Sequence, residues 1–166
     1  MNIAKFCLAL FIFVYLLIQS KSDMKTGYVV KSYNDFVLGL SFVLSFSYLA
    51  FLNQIQIYVF EVIGVCIALF VLSSDISPKV LKIMQKADAK AFGSIYFCSG
   101  IIYGYENSLK FFCLVVFVAN ITFMTYYHVI KKEKIKMVSE VHKPYFPFIT
   151  IGYFVCSVVY FYFTRL

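Results

Sequence analysis

The stretch FFCLVVFVANITFMTYYHVI, residues 111–130, decides the fold. It holds no Lys, Arg, Asp or Glu over twenty residues, and an α-helix needs about 20 apolar residues to cross the ~30 Å hydrocarbon layer of a bilayer. Inside lipid a backbone must satisfy its own polar groups, so the run is read as a helix. Extended back to Leu109, it is the clearest of six such runs. The others occupy 3–20, 35–52, 55–72, 89–105 and 145–163. The second and third form a hairpin around Asn53 and Gln54. The fourth is the weakest, because Gly93, Gly100 and Gly104 interrupt it. The expected fold is an all-α, polytopic membrane helix bundle of about six spans in a single domain, 1–166.

Composition agrees. The 166 residues are 62% hydrophobic and only 14% charged, against roughly 45–50% and 25% in a soluble domain. Mean hydropathy is +0.84. A soluble chain of this size buries only about 70% of its unfolded surface, so the remaining apolar skin needs lipid as its solvent. A soluble enzyme, a disordered segment, a disulfide scaffold and a nucleic-acid-binding domain are excluded on this ground. The net charge of +7 does not revive nucleic acid as a partner: the only arginine is Arg165, and the lysines sit between the apolar runs.

The positions of those lysines fix the expected threading. With six spans, alternate connections collect unequal charge. One side receives Lys5, Lys110 and Arg165. The other receives Lys21, Lys25, Lys31, Lys79, Lys82, Lys86, Lys90, Lys131, Lys132, Lys134, Lys136 and Lys143. Twelve against three is the positive-inside pattern. It places the loops 21–34, 73–90 and 131–144 on the cytoplasmic or equivalent side, and both termini opposite. Without the fourth span the bias collapses, which argues for it despite its hydropathy. The same threading argues that segment 3–20 stays as a span. A cleaved signal peptide, which Lys5, the apolar run and Ser20-Lys21-Ser22 resemble, would put the lysine-rich face outside.

Between the third and fourth runs, Ser77-Pro78 reads as an N-cap followed by Pro at the first helical position. At 100° per residue, Lys79, Lys82, Lys86 and Lys90 share an arc of about 80°. A short amphipathic helix at 78–90, its lysines toward anionic lipid, is expected.

Few residues carry chemistry. Glu61 is the only acid well inside a run, and an intramembrane carboxylate usually faces a bundle interior or cavity. Gly64 and Ala68 follow it at i+3 and i+7 and form a small-x-x-x-small pair; Gly100 and Gly104 form another. All four are expected to be helix contacts. Asn120 and His128 share one face of the fifth run, so Glu61, Asn120 and His128 form a candidate polar site if the third and fifth helices meet. No catalytic template is present. Phe97 stands two residues before Ser99, where a serine nucleophile motif has Gly, and the two histidines, His128 and His142, lack metal-ligand spacing. The cysteines Cys7, Cys66, Cys98, Cys113 and Cys156 form no C-x-x-C pair. No cofactor or metal is implied.

These features favour a non-enzymatic interaction or accessory protein (an assembly subunit, or an immunity or exclusion factor) that works through helix–helix contacts with a membrane-protein partner or its own copies. The alternative is a small ion or solute transporter using Glu61.

Overall fold

The computed structural model describes residues 3–73, 86–132 and 144–163. Six α-helices, and no strand, occur among them: α1 (Ile3–Thr26), α2 (Lys31–Phe51), α3 (Ile55–Ser73), α4 (Lys86–Tyr103), α5 (Tyr105–Thr125) and α6 (Phe146–Phe163). A π-helical turn, Tyr126–Ile130, continues α5. Three helices, Ile3–Thr26, Lys31–Phe51 and Tyr105–Ile130, are long and apolar enough to cross a membrane. Ile55–Val71 and Phe146–Tyr162 are shorter apolar helices. Large apolar side chains such as Ile57, Phe60, Ile67 and Phe117 lie exposed on the outside of the bundle, as suits a membrane protein whose outer face meets hydrocarbon.

Each helix reverses the direction of the one before it. Ser20 meets Thr150 and Phe13 meets Phe154, so α1 and α6 are antiparallel. Asn34 bonds to Ala87 and Phe42 packs on Phe97, so α2 and α4 run parallel. Glu61 meets Tyr96, and Leu69 lies beside Gly93, so α3 is antiparallel to α4. Phe123 on Phe148 and Phe111 on Tyr160 make α5 antiparallel to α6. The bundle is therefore up-and-down, with α3 and α5 parallel on two sides of α4. Lys21, Lys25, Lys31, Lys86, Lys90, Lys131 and Lys132 gather at one end of it, and Lys5 and Lys110 lie toward the other.

The helix with the weakest sequence signal sits at the centre. α4 packs against α1, α2, α3 and α5, and every residue from Ala91 to Gly100 is buried. A helix surrounded by other helices meets little lipid, so it needs small residues for close approach more than it needs hydropathy. Gly93 illustrates this: a Cβ there would lie 3.0 Å from Leu38 Cδ1.

Several boundaries differ from the sequence expectation. α1 runs past the 3–20 span to Thr26, so the loop expected at 21–34 shrinks to Gly27–Val30 ahead of α2. Lys21 and Lys25 extend that helix because they are good helix formers. Lys86 and Lys90 lie at the start of the described α4; residues 78–85 of the expected amphipathic helix lie outside the described residues. The turn between the fourth and fifth helices falls at Gly104, inside the expected 89–105 run rather than after it. Its φ of 88° and ψ of 147° lie in a region that only Gly occupies readily.

Candidate functional site: a groove between α3 and α5

α3 is held on one side. It packs on α4 and slightly on α2, and the space between its other side and α5 is a groove of about 750 Å³. Its α3 wall carries Glu61, Gly64 and Ala68, and its α5 wall carries Cys113, Val116 and Asn120. Glu61 and Asn120, the two polar residues expected to share a site, thus face one space. The third, His128, does not line it; it is exposed in the π-helical turn.

Glu61 is partly buried and tied to the neighbouring helices. The Tyr96 hydroxyl of α4 donates to its Oε1 at 2.8 Å. The Ser108 hydroxyl of α5 lies 3.3 Å from the same oxygen, but its single proton has a nearer acceptor in the Tyr105 carbonyl at 2.7 Å. Tyr96 is therefore the firm anchor. Among the described residues no donor reaches Glu61 Oε2. Asn120 donates its amide to the Val116 carbonyl one turn back at 2.8 Å, and no described donor reaches its side-chain oxygen. The groove thus offers acceptors at two levels and apolar walls between them, Phe112 and Phe117 among them. Glu61 is level with Ser108, and twelve residues of α5 separate Ser108 from Asn120, about 18 Å at the helical rise.

The small residues divide differently from the expectation that all four are helix contacts. A Cβ built on Gly64 meets nothing within 4 Å, and Ala68 is exposed, so within this chain they open the groove rather than join helices. Gly100 does make a close approach: a Cβ would come within 2.6 Å of the Tyr105 ring. Gly104 makes none, because it is the turn itself. The tightest backbone approach is at Gly152, where a Cβ would lie 2.9 Å from the Val115 carbonyl oxygen of α5. With Phe148 and Cys156 four residues to either side, Gly152 carries no small-x-x-x-small signal.

A second polar group, at the lysine-bearing end, is structural. Gln19 is fully buried and clamps the Val30 backbone, accepting its N–H at 2.9 Å and donating to its carbonyl at 3.2 Å. Asp23 accepts the Phe146 N–H. Asn34 accepts the Tyr15 hydroxyl and donates to the Ala87 carbonyl. Asp35 pairs with Lys90 across α2 and α4. Sequence reading passed over Gln19, Asp23 and Asn34 because they fall at the edges of apolar runs, where polar residues are ordinary. Ser99 is also accounted for: its hydroxyl donates to the Tyr96 carbonyl at 2.8 Å. The cysteines are free; Cys98 and Cys156 are buried, while Cys7, Cys66 and Cys113 are exposed.

No protein-family model, no curated protein and no solved structure matches this chain.

Proposed function

We propose that this chain is a six-span membrane protein without enzymatic activity, an interaction or accessory subunit that docks a partner through the α3/α5 groove. The single observation carrying this reading is the one-sided packing of α3, which leaves Glu61, Gly64 and Ala68 facing an open groove. A membrane helix gains its packing from neighbouring helices, because lipid tails are as apolar as leucine. An uncovered groove with a carboxylate in its wall is a vacancy that a partner helix fills. In this reading all six helices cross the bilayer, with the lysine-bearing ends in the cytoplasm or the equivalent compartment. The N-terminal end of α1 and the C-terminal end of α6 then lie on the opposite side.

Purification from the native membrane in mild detergent tests it. A defined membrane protein co-purifies with the wild-type chain, and Gly64→Leu, which fills the groove, releases it without lowering the yield. A partner-free, monodisperse wild-type particle contradicts the reading.

A transport reading draws on the same pair, Glu61 and Asn120, in one groove. Against it, the groove lining ends at Asn120, ten residues or about 15 Å before Ile130 along the helix. Full solute flux lost in Glu61→Gln proteoliposomes would favour transport over docking.

A further inference from the structure

We propose that the occupant of the α3/α5 groove is a transmembrane helix that carries a basic side chain, Lys or Arg, at the level of Glu61. This rests on the docking reading and names the chemistry of the partner. Among the described residues, no donor from the groove walls reaches Glu61 Oε2 or the Asn120 side-chain oxygen. Glu61 and Asn120 both line the groove, and these two oxygens have no described hydrogen bond, whereas Glu61 Oε1 is already served by Tyr96. The space around them is apolar, lined by residues such as Val65, Leu69, Phe112 and Phe117, and no bulk water is present in the hydrocarbon of a bilayer to satisfy them. An opposite charge on the partner answers the carboxylate, and it does so without a soluble domain on either side.

Depth is compatible with a basic residue. Glu61 lies six residues into α3, about 9 Å from its start, and charges within membrane segments are tolerated where they pair with one another. The two acceptor levels, about 18 Å apart, favour a helix over a lipid. An acyl chain lying in the groove with an amine headgroup at Glu61 would press methylenes against the Asn120 oxygen. A helix instead presents two donors on one face: residues eleven apart are rotated by only about 20° and separated by about 16 Å. The partner is therefore expected to carry Lys or Arg and, about eleven residues farther toward the lysine-bearing end, a donor such as Asn, Gln, Ser or Thr.

The test uses the full chain in phosphatidylcholine vesicles and fluorescent Leu/Ala transmembrane peptides read by energy transfer. One peptide carries a Lys about 9 Å inside its end and an Asn eleven residues on; the control carries Leu at both places. The Lys/Asn peptide is expected to bind about tenfold more tightly than the control. Glu61→Gln removes that preference while keeping an acceptor for Tyr96, and its melting temperature verifies that it remains folded. Gly64→Leu removes binding of both peptides. Equal binding of the two peptides to the wild type, or a preference that survives Glu61→Gln, overturns the proposal. If that equal binding is still blocked by Gly64→Leu, the groove remains a helix-docking site and only its choice of a cation falls. If neither peptide binds, the docking reading falls with it. Displacement of the Lys/Asn peptide by a few percent of phosphatidylethanolamine also overturns the proposal, in favour of a lipid amine.

Discussion

The carboxylate of Asp23 caps a helix 123 residues away: its Oδ2 accepts the Phe146 backbone N–H at 3.1 Å, at the start of α6. Helix starts leave N–H groups unpaired and carry partial positive charge, so a buried carboxylate there both satisfies a donor and sits in a favourable field. With Gln19 holding Val30 one turn earlier on the same helix, the end of α1 organises the entrance to both α2 and α6.

Removing this cap has a measurable cost. Asp23→Ala is expected to destabilise the protein by about 1 kcal/mol, up to about 2, and to lower its melting temperature in detergent. Asp23→Asn, which keeps the acceptor, retains most of the stability. Equal losses for the two variants would show that the carboxylate's hydrogen bond to α6 is not what matters.

Two glycines on helix surfaces respond in opposite ways. In Gly152→Ala the added Cβ meets the Val115 carbonyl at 2.9 Å and the Ala119 N at 3.2 Å, both backbone atoms that cannot turn aside. Separation of α5 from α6 is the only relief, at about 1–3 kcal/mol. Gly64→Ala meets nothing within 4 Å and gains helix propensity of up to about 1 kcal/mol, so the isolated protein should melt at the same or a higher temperature. Thermal denaturation of the two variants side by side checks both directions.

Gly104 is expected to resist every substitution. A side chain at φ 88° and ψ 147° is strained by roughly 1–3 kcal/mol, although no neighbouring atom obstructs it. Gly104→Ala should therefore lower stability without altering the groove. A variant as stable as the wild type would mean that α4 and α5 are joined by a different turn.

Much of this architecture was legible in the sequence, and the exceptions share a cause. Apolar runs located all six helices, including α4 despite its poor hydropathy. They did not reveal that α4 is central, because interior helices and marginal ones look alike when only hydropathy is read. Glu61 and Asn120 were visible as polar residues in apolar runs, and the structure brings them to one groove. Tyr96, the anchor of Glu61, was not visible: a tyrosine in an aromatic-rich helix has no distinguishing spacing. Gly64 and Ala68 join no helix within this chain, since a small-residue pair signals room for an approach without saying which surface makes it.

The threading of the chain bears the whole scheme, because the depth of Glu61 and the place of every lysine depend on it. Single cysteines at Lys25, Asn107 and Lys131 in a background without the native cysteines, probed with a membrane-impermeant maleimide on intact and opened vesicles, test it directly. The positions at Lys25 and Lys131 should label from one side and that at Asn107 from the other. Labelling of Lys25 and Lys131 from opposite sides would contradict it.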